Sequence, residues 1–177
     1  MSCSGPSDPA RRLARVADLV GDGGVARLAA ATVAVVGLGG VGSHAARALV
    51  QSGVGGLRLV DHDRITASSL NRHAVAEAAD VGRSKVEVVA AWARRIDPAV
   101  RAEALELVVD EGTVGRVVAP PVAAVIAAVD DLGALIALLV ACRKRGTPLV
   151  VSMGASSRTD PGRVRVGDLA TATGCPF

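Results

Sequence analysis

Residues 32–63 read TVAVVGLGGVGSHAARALVQSGVGGLRLVDHD, and this stretch decides the fold. It opens with Val33-Ala34-Val35-Val36, an apolar run β-branched enough to predict a buried strand. Gly37-Leu38-Gly39-Gly40-Val41-Gly42 follows at once, then a helix-like segment over 43–51. A second apolar strand over 57–60 ends on Asp61. This order is that of a βαβ nucleotide-binding unit with G-x-G-x-x-G spacing. Gly37 allows the tight turn, Gly39 lets the backbone approach a phosphate, and Gly42 lets the helix pack against the strand. The helix start offers free N–H groups and the positive end of its dipole to a polyphosphate. Asp61 lies 19 residues past Gly42, close to the spacing of a carboxylate that accepts from ribose hydroxyls. The motif alone does not say which nucleotide.

Outward from this unit, strand and helix patterns alternate. Residues 1–9 form a Ser/Pro/Gly-containing tail expected to be disordered. Residues 10–30 read as two short helices around Gly21-Asp22-Gly23-Gly24, with Leu13, Val16, Ala17 and Val20 on one face of the first. Beyond Asp61, a polar loop over 64–80 leads to an amphipathic helix over 83–96, stopped by Asp97-Pro98. Strands are expected at 102–109, at 122–129 as a fully buried strand, at 149–152 and at 164–166. Helices are expected at 111–118 and 132–144. The expected fold is α/β, a Rossmann-like, doubly wound, mostly parallel sheet with helices on both faces. Residues 31–177 would form the nucleotide-binding domain, with the ligand at the carboxyl ends of the strands.

The chain has 177 residues, enough for one domain with a full core. Trp92 and Phe177 are its only aromatic residues, so the core must be Val, Leu, Ala and Ile. Lys85 and Lys144 are the only lysines among 20 basic residues, a bias that coding preference explains better than phosphate recognition. A net charge of +3 with interspersed acids does not by itself argue for nucleic acid. Cys3, Cys142 and Cys175 show no C-x-x-C pairing, which supports neither a zinc knuckle nor a disulfide framework. With no signal-peptide pattern and no apolar run long enough to span a bilayer, a soluble cytoplasmic protein is expected.

Four further features fall after strand ends: Asp61-His62-Asp63, Asn71-Arg72, Lys85 near a helix start, and Asp130 after the fourth strand. A triphosphate needs several cations, because bond cleavage moves charge onto the leaving pyrophosphate. Arg72 and Lys85 can supply them, and Asp130 can hold Mg²⁺. Taken singly, each residue also has an ordinary reading: a loop ion pair, a solvated helix lysine, a helix N-cap.

VVGLGGVGS, LVDHD, LNRH and VGRSKVEVVAAWARRIDP together resemble the ThiF/MoeB superfamily of ATP-dependent adenylating enzymes, which includes ubiquitin-activating enzymes. CRKRGTPLVVSMGA and TDPGRVRVGDLATAT look most like its tRNA threonylcarbamoyladenosine dehydratase branch. The resemblance implies that Gly37, Gly39, Gly40 and Gly42 cradle ATP and that Asp61 binds ribose, with Asp63, Ser69 and Asn71 beside them. It implies that Arg72 and Lys85 neutralise the phosphates and that Asp130 positions Mg²⁺. Arg15 matches an arginine that the family donates into the neighbouring site of a homodimer. The implied reaction is activation of a carboxylate, in that branch the threonyl group of a modified tRNA nucleoside, followed by cyclisation.

The sequence departs from the family at Ser69, where Asn is usual, and at Ala127, where Asp is common. Relatives also continue well beyond the position of Phe177. A sulfur-carrier-protein adenylyltransferase is the alternative within the superfamily, though the paired C-x-x-C motifs common there are missing. An NAD-dependent oxidoreductase and a catalytically degenerate nucleotide-binding module are the remaining alternatives.

Overall fold

The computed structural model describes residues 9–152 and 159–171. The tail expected over 1–9 lies outside them except for Pro9, which opens α1 (Pro9–Arg12). Next come α2 (Ala14–Ala30), β1 (Thr32–Val36), α3 (Gly40–Gln51) and β2 (Gly56–Asp61). They are followed by α4 (Lys85–Ile96), β3 (Arg101–Glu106), α5 (Val114–Val117), β4 (Val122–Ala127), α6 (Leu132–Arg145) and β5 (Leu149–Val151). α2 is two helices joined at Gly21, whose φ of 71° is the left-handed conformation that glycine adopts without cost.

The strands form one five-stranded parallel sheet in the order β3-β2-β1-β4-β5. The chain winds outward from β1 in both directions, so the loops after β1 and β4 diverge and leave a crevice between them. One face of the sheet packs Val33, Val35, Leu57 and Leu59 against Ala46 and Val50 of α3 and Val86, Val89 and Ala93 of α4. The other packs Ala34, Val36, Val60, Val125 and Ala127 against α5 and α6. With small side chains on both faces, helices and strands approach closely, as the aromatic-poor composition requires.

Two strands end earlier than the sequence expectation and one expected strand does not form, in each case for want of a pairing partner. β3 stops at Glu106 rather than 109 because its partner strand ends at Asp61, opposite it. β4 stops at Ala127 rather than 129, opposite the last residue of β1. It is also only half-buried, since its outer neighbour β5 has three residues and leaves Ala123 uncovered. No strand forms at 164–166: Val164 is exposed, Val166 fully so, and neither pairs with a sheet edge. Alternation there marks a chain able to extend, not one with a partner.

Helices α1 and α2 sit at the amino-terminal edge of the sheet. Arg12 donates to Asp97 Oδ2 at 2.6 Å and to Val50 O at 3.1 Å, tying α1 to the carboxyl ends of α3 and α4. Leu13 is buried against Gly53, where a Cβ would stand 2.7 Å from its Cδ1. No described helix is long and apolar enough to cross a membrane.

Candidate nucleotide-binding site

The turn after β1 is built from close backbone contacts. The Gly37 N–H donates to Val60 O at 2.8 Å, and its φ is 82°. A Cβ at Gly37 would run into the Ala128 carbonyl, and one at Gly42 into the Gly37 carbonyl. Gly42 therefore brings α3 against the turn, as the motif implied. A Cβ at Gly39 would meet nothing within 4 Å. The first-turn N–H groups at Gly40, Val41 and Gly42 have no intrahelical acceptor, and Gly39 at the N-cap has no side chain to offer one. This open cradle of donors fits a polyphosphate.

Asp61 closes the turn from behind. Buried at the end of β2, its carboxylate accepts from Leu38 N–H at 2.6 Å and from Asp63 N–H at 2.8 Å. Its first task is thus to fix the glycine turn, and ribose hydroxyls would meet only its remaining lone pairs. The Lys85 ammonium lies 2.6 Å from Asp63 Oδ2 and 3.7 Å from Asp61 Oδ2. The hydrogen bond from Lys85 holds the Asp63 carboxyl below the ordinary carboxylate range. That contribution to stability is present above the unfolded pKa and lost as pH falls through the depressed folded value. Asp61, His62 and Asp63 bring three ligand atoms within 4.8 Å of one another, but Lys85 already pairs with both carboxylates there.

Arg72 lies over the opposite rim. Its stem packs on Gly40, with Cδ 3.4 Å from where a Cβ there would stand. Its guanidinium rests on Ser68 O at 2.7 Å and Asn71 Oδ1 at 3.1 Å, so meeting a phosphate requires a swing of the side chain. Ser69 is buried and faces its own turn, its Oγ accepting from Thr66 N–H at 3.2 Å and lying 3.0 Å from Thr66 Oγ1. The resemblance places Ser69 beside the nucleotide; here its hydroxyl is engaged within its own turn.

Asp130 follows β4 on the other side of the crevice, exposed, with no hydrogen bond or ion pair among the described residues. The helix-capping task belongs to its neighbour Asp131, whose carboxylate accepts from Ala134 N–H at 2.7 Å. That leaves Asp130 as a carboxylate able to join phosphate oxygens on a hard divalent cation. Arg15 is elsewhere. It is exposed, paired among the described residues only with Asp18 at 3.3 Å, and belongs to the segment docked at the far end of α3. The twelve residues of α3 separate that end from the glycine turn by roughly 18 Å.

Three residues that sequence reading passed over matter here. Ser43, fully buried, donates to Gly39 O at 2.6 Å and accepts from Ala74 N–H at 3.0 Å, joining the glycine turn to the Arg72 loop. Its place right after the glycine motif was the available signal. His73 is buried, its Nδ1 accepting two backbone N–H groups. Arg58 is a cation between Leu57 and Leu59 in the middle of β2. Cys142 is buried, which pushes its thiol pKa up and leaves it inert. A cavity of about 350 Å³ lined by Leu139, Val140, Cys142, Arg143, Thr147 and Leu149 lies against α6, away from the chemistry.

A parallel sheet with a glycine cradle at its switch point, a carboxylate behind it and an arginine over it defines a nucleotide-binding α/β protein. The chain matches the ThiF family over residues 10–175, and it belongs to that family. It is 35% identical over 132 residues to the tRNA threonylcarbamoyladenosine dehydratase 2 of Saccharomyces cerevisiae, covering 68% of this chain and 28% of that protein. It is 36% identical over 114 residues to the tRNA threonylcarbamoyladenosine dehydratase of Escherichia coli, covering 64% of this chain and 42% of that one. The crystal structure of the E. coli enzyme in complex with ATP superposes with a TM-score of 0.91 at 35% identity, covering 94% of this chain and 69% of that chain. The chain thus spans less than half the length of these two curated relatives.

Proposed function

We propose that this chain binds ATP with Mg²⁺ and activates a carboxylate by adenylation, the carboxylate being the threonyl group of threonylcarbamoyladenosine in tRNA. The observation that carries this reading is the open Gly39–Gly42 cradle with Asp130, unpaired among the described residues, on the other side of the crevice. Two similar proteins named as dehydratases of that nucleoside, and a neighbour solved with ATP, support it. In the reaction a carboxylate oxygen bonds to the α-phosphorus while the bond to pyrophosphate breaks. A poor leaving oxygen thereby becomes part of AMP, and ring closure by the nearby internal nucleophile expels it. The glycine-turn N–H groups and Arg72 bind the phosphates, Asp61 braces the turn and meets ribose, and Asp130 would hold Mg²⁺. The cation would spread the developing charge on the phosphate oxygens. Lys85 holds Asp63 and Asp61 in place and adds positive charge at the same strand ends.

The test is ATP–pyrophosphate exchange with modified tRNA. Arg72→Ala and Asp130→Ala are each expected to lower exchange at least about a hundredfold, the scale of losing one transition-state charge partner. Wild-type exchange in both variants would sink the reading. Retained ATP binding without exchange in the natural chain would mark a degenerate relative.

Arg15 enters this proposal from a second copy, because it lies a helix length from its own site. Leu19 and Val20, exposed apolar residues on the same arm, fit an arm that docks on a neighbour. Mixing inactive Arg15→Ala with inactive Asp130→Ala is then expected to restore about a quarter of the exchange activity, through hybrid dimers with one intact site. No recovery after subunit exchange would remove Arg15 from the mechanism.

A further inference from the structure

We infer that His73 is a positioning residue for the nucleotide: as a neutral imidazole it locks the turn that holds Arg72 over the glycine cradle, and protonating it releases Arg72. This rests on the ATP-binding reading above.

The lock is geometric. His73 Nδ1 accepts from Val75 N–H at 3.3 Å and from Ala76 N–H at 3.0 Å. Only an unprotonated Nδ1 can accept, so the neutral ring carries its proton on Nε2, which is buried without a partner among the described residues. The His73 N–H donates to Ser69 O at 2.9 Å, and the next residue, Ala74, is tied through Ser43 to Gly39 O. Arg72 is thus the residue just before a segment fastened both to itself and to the glycine turn. A proton on Nδ1 would point at two N–H donors, break both bonds and force the turn open.

The groups facing the ring come from four elements. Burial acts first to depress its pKa, and Lys85 at the start of α4 and His44 of α3 act the same way. Asp61 of β2 and Asp80 of the following turn oppose them, and the balance lies below the ordinary histidine value of 6.5. The unfolded chain therefore takes up the proton first. Stability from the neutral ring is full above about pH 6.5 and declines as pH falls from there toward the folded value. Nucleotide affinity falls at lower pH, as the folded ring itself takes up the proton.

The experiment compares ATP affinity near pH 8 and near pH 5.5 for the wild-type chain and for His73→Asn. The asparagine oxygen can accept in the place of Nδ1 and does not titrate, while protonation of ATP itself acts on both proteins alike. Between the two pH values the wild type is expected to lose more affinity than His73→Asn, by up to about tenfold, the most that a histidine with its pKa below 6.5 can lose by pH 5.5. In an Arg72→Ala background that difference is expected to vanish. Equal pH profiles, or a difference that survives Arg72→Ala, would overturn the inference. If the wild type binds no ATP at any pH, the nucleotide reading falls. The amide shifts of Val75 and Ala76 followed against pH then judge the lock alone: titration with the His73 ring supports it, and no movement refutes it.

Discussion

Gly42→Ala is expected to cost roughly 3 kcal/mol of stability, the upper end for overpacking a close-packed site. The reason is backbone, not side chain: the new methyl would meet the Gly37 carbonyl, and neither partner has a rotamer through which to yield. Either α3 lifts from the sheet or the turn after β1 moves, and both spoil the cradle. A chain of this size should lose about 6–12 °C in melting temperature, measured by calorimetry or circular dichroism. Gly39→Ala is the contrasting change. Its methyl meets nothing within 4 Å, so stability should fall by no more than about 1 kcal/mol, the cost of alanine at an N-cap. The same methyl stands where a phosphate would approach, so ATP affinity should drop by at least about tenfold. If Gly39→Ala binds ATP like the wild type, the phosphate is not in this cradle.

Arg58→Ala is expected to cost about 3–5 kcal/mol, the scale of removing one charged donor from several buried backbone carbonyls. Arg58 lies directly across from Glu103 in the β2–β3 register, and its Nε donates to that carboxylate at 2.7 Å. Its Nη1 also donates to the carbonyls of Arg116, Val117 and Ala119 at 3.0, 3.1 and 2.7 Å. One side chain thus satisfies the end of α5 and joins three elements. Truncation leaves the Arg116 and Val117 carbonyls without a donor among the described residues, while Ala119 O keeps the Val122 N–H at 3.3 Å. Glu103→Ala should cost only about 1 kcal/mol, because that carboxylate is half exposed and water can take its place. Urea midpoints of the two variants decide this, and near-equal losses would mean that the carbonyl contacts contribute little.

The parts of the site that lie within one stretch of chain were legible in the sequence. The glycine turn, its helix and Asp61 follow each other within 25 residues, and each has a residue type that only a few backbone tasks demand. Asp130 could be placed because an apolar run ends just before it. The structure adds that Asp131, not Asp130, takes the cap. Ser43, His73 and Arg58 were illegible for one reason: their tasks lie in hydrogen bonds to segments brought near by folding. A serine after a glycine motif, a histidine in a polar loop and an arginine in a strand have many uses. Their contacts with Ala74, with the 75–76 amides and with the end of α5 select one. The same limit explains 164–166, where local alternation suggested a strand and no edge was there to receive it.

The most direct test of the account is calorimetric titration of the full chain with ATP in the presence of Mg²⁺, with NAD as the competing dinucleotide. One ATP per chain is expected, with a loss of affinity of at least about tenfold in Arg72→Ala and no competition by NAD. Binding of NAD in preference to ATP, or ATP binding that is indifferent to Arg72→Ala and Gly39→Ala, would contradict it.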